Sequence, residues 1–219
     1  MSDLTLVIGN KNYSSWSLRP WLVLRCSGIP FREIRVPLYR PESAPALADL
    51  SPSGLVPVLH DGDVRIWDSL AICEYLHERF PEHRLWPDDM RARAVARSVS
   101  AEMHAGFSGL RQAMCMNVRG QFPDQGRTPQ SLRDIDRVLS IWTDCRARFG
   151  SGGGFLFGRF GIADAMYAPV VLRFQTYAVA LSGAALDYAN AVLALPALGE
   201  WVAAARAESE RIEKFDLYG

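Results

Sequence analysis

The 219-residue chain has no paired cysteine motif, no net charge, no basic tract and no long apolar run, and each absence removes a class of function. Its four cysteines (Cys26, Cys73, Cys115, Cys145) are scattered without a Cys-x-x-Cys spacing, which argues against a zinc ribbon or a dithiol redox motif. The four histidines (His60, His77, His83, His104) show no metal-ligand spacing with one another or with cysteine, so no metal is expected. Lys plus Arg and Asp plus Glu both number 24. A nucleic-acid binder would then need strongly segregated charge, and no basic run supplies it. No segment approaches the ~20 apolar residues of a membrane-spanning helix. The apolar stretch from Leu4 to Ile8 is short and has no basic region before it, unlike a secretory signal. The expectation is a cytoplasmic protein with reduced thiols, in which the glycosylation triplet Asn12-Tyr13-Ser14 is a coincidence. Gly152-Gly153-Gly154 lacks the Lys-Ser/Thr of a phosphate-binding loop.

What is present is ordinary globular composition, 49% hydrophobic and 22% charged, in a chain long enough for one large or two small cores. The rhythm changes near residue 80. Before it, Leu4–Ile8 reads as a buried strand, Ser14–Ser27 as a helix closed by Gly28, and Phe31–Val36 as a second strand. A short helix over Ala44–Leu50 follows. Val56–His60 and Val64–Trp67 then read as a hairpin turned by Asp61-Gly62, and Asp68 or Ser69 opens a helix running to about Phe80. The predicted order is β-α-β-α-β-β-α over residues 1–80, with a linker at 81–88. Residues 89–219 are read as all-helical: one long helix over Met90–Val118, one from Thr128-Pro129 to Phe149, an apolar helix over Ile162–Ala180, and shorter ones at 185–194 and 197–209.

Five local patterns carry chemistry or fold information. Ser14-Ser15-Trp16-Ser17-Leu18-Arg19-Pro20 sets hydroxyls at a helix N-terminus, where backbone N–H groups and the dipole favour a thiolate; either serine also reads as a plain cap. Gly54-Leu55-Val56-Pro57 leads into the hairpin. Asp68-Ser69 sits at a helix start, a site for a carboxylate. Glu102 to Leu110 places His104, Ser108 and Arg111 at helical spacing. Gly161-Ile162-Ala163-Asp164 is a capping pattern in which Asp164 reaches back to the Gly161 N–H.

Together and in this order, the five patterns resemble the glutathione transferase family over nearly the whole chain. The first resembles the zeta-class signature of two serines then Cys-Ser-x-Arg, and also the beta-class Cys-Ser-Leu-x-Pro. The family cysteine falls on Trp16, and the family's catalytic serine on Ser14. The fourth resembles the beta-class Glu-Leu-His-Lys-x-Phe, with Ala105 in place of Lys. The resemblance implies a thioredoxin-like N-terminal domain (1–80) and an all-helical C-terminal domain (89–219) that shapes an electrophile pocket. It implies Ser14 and Ser15 as the catalytic hydroxyls. It implies that Val56, before a cis Pro57, and Asp68 with Ser69 bind glutathione, while Trp16, His104, Ser108 and Arg111 face the electrophile. Leu55 stands where many relatives carry Lys or Gln. Arg173 lies on the helix where zeta-class isomerases hold an anion-binding Arg, about one turn out of register, and receives no role. A homodimer is implied.

The expected activity is transfer of glutathione to a small electrophile, with no metal. Two alternatives stay open: cis–trans isomerisation of the maleylacetoacetate type, and a non-catalytic module that binds a ligand or partner on the same fold. A thiol–disulfide oxidoreductase is disfavoured by Trp16 at the redox position.

Overall fold

The computed structural model describes residues 4–218. Its first half runs β1 (Leu4–Ile8), α1 (Ser15–Cys26), β2 (Arg32–Arg35), α2 (Ser43–Leu50), β3 (Val58–Asp61), β4 (Val64–Trp67) and α3 (Ser69–Arg79), in the expected order. The strands form one sheet, β2-β1-β3-β4, with β1 and β2 parallel and the other pairs antiparallel. β1 is interior, and all five of its residues are buried, which is why it reads as a near-continuous apolar run. Alternation along the strand splits the core in two. Leu4, Leu6 and Ile8 join Leu59 beneath Leu18 and Trp21 of α1 and Ile72 of α3. Val7 and Val58 turn to the other face and meet Leu47 of α2. This is the thioredoxin-like arrangement. In the hairpin, Asp61 pairs with Val64, so the two linking residues are Gly62 and Asp63 rather than Asp61 and Gly62. Gly62 takes the positive φ (58°) that such a short loop demands.

The second half is helical: α4 (Met90–Ala105), α5 (Ser108–Ala113), α6 (Pro129–Phe149), α7 (Ile162–Thr176), α8 (Gly183–Leu193) and α9 (Pro196–Ala207). α6 opens on Thr128, whose Oγ1 accepts the Ser131 N–H at 3.1 Å while Ser131 Oγ accepts the Thr128 N–H at 2.8 Å. Every residue of α7 but Gln175 is buried, matching a helix at the centre of its neighbours. Asp164 accepts the Gly161 N–H at 2.9 Å and also the Leu156 N–H at 3.0 Å. α1 packs against α7, so the two halves share one large core and the N-terminus of α1 lies at their junction.

The expected single helix over Met90–Val118 is two helices. α4 ends at Gly106, and Phe107 adopts the left-handed conformation with φ 60°. The break is held by groups remote in sequence: Asp134 of α6 accepts the Leu110 N–H at 2.9 Å. Arg111 turns back and donates to the carbonyls of Met103, His104 and Gly106, which the broken helix leaves open.

Candidate active site

Ser14 caps α1. It is 7% exposed, its Oγ accepts the Ser17 N–H at 3.3 Å, and that oxygen lies 2.7 Å from Ser17 Oγ. Ser17 is fully buried and accepts the Gly9 N–H at 3.1 Å. Gly9 is closely approached here: a Cβ would lie 2.5 Å from Leu38 Cδ1 and 3.2 Å from Val56 Cγ2, so those side chains would have to shift. The close approach brings the end of β1, the start of α1 and the Val56–Pro57 segment together. The Val56–Pro57 peptide is cis.

Beside the serines lies positive charge that forms no ion pair among the described residues, Asp68 being the carboxylate that acts on Arg19 from further off. Arg19 is fully buried; Nη1 donates to Ser69 Oγ at 3.2 Å, while Nε and Nη2 have no hydrogen-bond partner among the described residues. Arg173 is 4% exposed and donates to Met114 O at 2.8 Å and Ser15 Oγ at 3.4 Å. Arg19 and Arg111 both stack on the Trp16 ring, 4.3 and 4.7 Å from its centre. Among the described residues none of these three arginines forms an ion pair. Burial pushes the Arg19 guanidinium down to about 9, with Arg111 and Arg173 repelling it further. Burial and the Arg111 charge take Arg173 down to about 10. Both remain cations at neutral pH.

Asp68 caps α3 from a positive φ of 75°, an unfavourable conformation for a residue with a Cβ, and its Oδ1 accepts the N–H groups of Leu70 and Ala71. Its Oδ2 lies 3.2 Å from His104 Nε2. Burial lowers the His104 pKa below its ordinary value and prevails over the opposing pull of Asp68, with Arg19 and Arg111 lowering it further, so the ring is neutral at pH 7 and this contact is not an ion pair. The His104 ring meets Trp16 edge-on at 5.3 Å between centres. No cysteine is activated, since burial raises the thiols of Cys26 and Cys145 to about 12. Among the described residues, no cluster of His, Cys, Asp and Glu could hold a metal ion.

Two family descriptions match: "Glutathione S-transferase, N-terminal domain" over residues 13–79 and "Glutathione S-transferase, C-terminal domain" over 125–204. A zeta-class glutathione S-transferase of Euphorbia esula is 31% identical over 169 residues, 75% of this chain and 72% of that protein. A maleylacetoacetate isomerase of Pseudomonas aeruginosa is 31% identical over 181 residues, 80% of this chain and 81% of that protein. The chain belongs to the glutathione transferase family. A solved glutathione transferase homologue from Burkholderia, with bound glutathione, superposes with a TM-score of 0.71 at 22% identity, covering 94% of this chain and 100% of that one.

Within this glutathione transferase fold, most of the residues singled out from sequence fall into one contiguous group. Ser14, Ser15, Trp16, Asp68, Ser69, His104 and Arg111 are linked by the contacts above, and Gly9 ties Val56 to them. Ser108 is a correction. Because the helix breaks at Gly106, Ser108 and Arg111 do not share a face with His104, and Ser108 is exposed on the first turn of α5 with no hydrogen bond to the group. Arg111 arrives by a different route, as the cap of α4. Sequence reading gave no role to Arg19, although it stands in the serine motif, nor to Arg173 or Ser17. The signal for Arg19 and Arg173 was an arginine within an otherwise apolar helix, which demands a partner.

A second polar network lies next to the first. Glu208, after α9, accepts the N–H groups of Lys11 and Asn12 at 2.7 and 3.0 Å. Arg119 donates to the carbonyls of Glu208 and Glu210 and to Tyr13 Oη. Tyr13 Oη in turn donates to Asp216 at 2.9 Å, so the C-terminal segment is fastened over the loop that precedes Ser14. Asn12 is fully buried there and donates to Asn117 Oδ1 at 3.0 Å, a setting incompatible with glycosylation.

Proposed function

We propose that the protein holds glutathione against its N-terminal half and adds the thiolate to a small electrophile that itself carries negative charge. The observation that carries this reading is the trio Arg19, Arg111 and Arg173, gathered on Ser15, Trp16 and Ser69 with no ion-paired carboxylate among the described residues. An uncompensated buried cation is costly, and an anionic ligand or transition state relieves that cost. In this reading the backbone of Val56, beyond the Pro57 turn, pairs with the cysteinyl unit. Ser69 and its N–H receive the γ-glutamyl carboxylate at the start of α3, and Asp68 takes the ammonium. Ser14 and Ser15 face the sulfur. Trp16, His104 and Arg111 form the electrophile wall.

Magnitudes support the thiolate role. A free thiol of pKa ~8.5 is roughly 3% ionised at pH 7. Lowering it by about two units requires about 2.7 kcal/mol. One charge-assisted hydroxyl bond supplies ~1.5–3 kcal/mol and a helix N-terminus ~0.3–1. A less basic thiolate is also less nucleophilic, which takes back about 8-fold of a roughly 25-fold gain. The remainder of the rate enhancement comes from orientation.

The test compares an unsaturated carboxylic acid with its neutral amide as electrophile. The acid should have the higher kcat/KM by roughly 10- to 150-fold, the worth of one charge-assisted bond. Equal turnover of acid and amide would contradict the anionic-substrate reading. Retention on a glutathione matrix with no turnover of any electrophile would favour the non-catalytic module. A second reading, isomerisation, is favoured by the isomerase relative and by the serine pattern through Arg19. A cis-enoic acid returned as the trans isomer with glutathione unconsumed would select it.

The same reading makes the protein a cytoplasmic homodimer that disposes of electrophiles.

A further inference from the structure

The register of the sheet brings four chain segments out at one end. Val58 pairs with Trp67 and with Val7, and Ile8 lies beside Arg35. Ser69 follows β4, Val56 precedes β3, Gly9 follows β1, and Leu38 and Tyr39 follow β2, so the strand order sets them in the row Ser69, Val56, Gly9, Tyr39. With strands ~4.8 Å apart, the row is ~14 Å long. An extended peptide of three residues reaches ~10–11 Å, and the γ-linkage of glutathione adds two further bonds. With the γ-glutamyl end at Ser69 and the cysteinyl unit on Val56, the glycine carboxylate arrives at the far end of the row, beside Tyr39.

A cation stands there. Tyr39 is 60% exposed on a left-handed backbone with φ 58°, and its ring meets Phe215 edge-on at 5.5 Å. Lys214 Nζ lies over both rings, 5.3 Å from the centre of Tyr39 and 5.7 Å from that of Phe215. Lys214 belongs to the short turn Glu213–Phe215 of the C-terminal segment, and that turn is pinned on both sides. The Ile212 N–H donates to Tyr13 Oη at 3.4 Å, and Asp216 accepts from Tyr13 Oη at 2.9 Å and from Asn117 Nδ2 at 2.8 Å. The other cations at this end of the sheet are engaged: Lys11 pairs with Glu33, Arg35 pairs with Glu208 and Glu210, and Arg40 acts on Glu210. Lys214 forms no hydrogen bond or ion pair among the described residues, so its three N–H donors are free while the rings hold its stem. In the other direction its charge reaches Cys115, just past α5, whose thiol is raised by burial and drawn back by Arg173 and Lys214. Lys214 therefore stands between the end of β2 and the helix that carries Arg111.

We propose that Lys214 receives the C-terminal carboxylate of glutathione, so that recognition begun by the N-terminal half is completed by the C-terminal segment. This rests on the reading above, in which Ser69 and Val56 hold the other two units. The aromatic contacts and the Asp216 bonds give that segment a second role, since they hold the ammonium at the end of the row rather than leaving it to sweep through solvent.

Calorimetry tests this with two ligands, glutathione and its C-terminal amide, which keeps the length and loses the charge. Wild type should bind glutathione about three- to tenfold more tightly than the amide, between the worth of an exposed ion pair and that of a charge-assisted bond. Lys214→Ala should lose this preference by weakening glutathione alone, and Lys214→Arg should keep it. Arg40→Ala should also keep it, while Ser69→Ala should weaken both ligands equally. Added salt should narrow the wild-type preference. Equal binding of both ligands by wild type, a preference that survives in Lys214→Ala, or one that disappears in Arg40→Ala would overturn the proposal and leave the glutathione reading standing. Failure of wild type to bind either ligand would overturn both.

Discussion

Two arginine-rich regions meet at the start of α1, and they differ in one respect. In the C-terminal fastening, Arg119 donates to two carbonyls and a tyrosine, Glu208 accepts two backbone N–H groups, and Arg35 pairs with Glu208 and Glu210, so carboxylates and guanidiniums answer one another. Around Trp16, three guanidiniums converge with no ion-paired carboxylate, and two nitrogens of Arg19 have no partner among the described residues. A region whose carboxylates and guanidiniums answer one another holds the chain in place. A region left with unanswered positive charge is built for something that arrives from outside.

The contrast breaks most visibly at Glu208. Glu208→Ala strands the N–H groups of Lys11 and Asn12, both on buried residues, and should cost about 2–5 kcal/mol in denaturant unfolding. It should leave the ratio of acid to amide turnover unchanged. A smaller effect on stability, with a larger one on function, is expected at Arg19. Arg19→Met removes a cation that burial already disfavours, so unfolding free energy should shift by less than about 1 kcal/mol and in either direction. Glutathione affinity should fall about tenfold, because the bond to Ser69 Oγ and the positive field are both lost. Isothermal calorimetry beside thermal melting separates the two outcomes. A large loss of stability with normal affinity would make Arg19 a structural residue and erase the difference between the regions.

Much of the fold was legible because its signals are local. Thr128-Pro129, the Asp164 box and the apolar run of β1 each announce an element within a few residues. The break at Gly106–Phe107 was not legible. Its neighbours continue a helical pattern, and what holds Phe107 in a left-handed turn is Asp134, more than twenty residues on. The candidate site divides the same way. Ser14, Asp68 and Ser69 stand in contiguous motifs at helix starts, whereas the approach of Arg173 to Ser15 spans 158 residues and that of Glu208 to Lys11 spans 197. The family resemblance placed His104 and Arg111 near the pocket. It did not say that Arg111 would come from a separate helix and reach Trp16 by capping α4.

The central claim is that this corner of the molecule stabilises an anionic sulfur. The direct measurement is a pH titration of the thiolate absorbance of glutathione bound to the wild-type protein, with free glutathione alongside. The account predicts a bound thiol pKa below about 7, against ~8.5 for a free thiol. A bound thiol that titrates with the free one would contradict it.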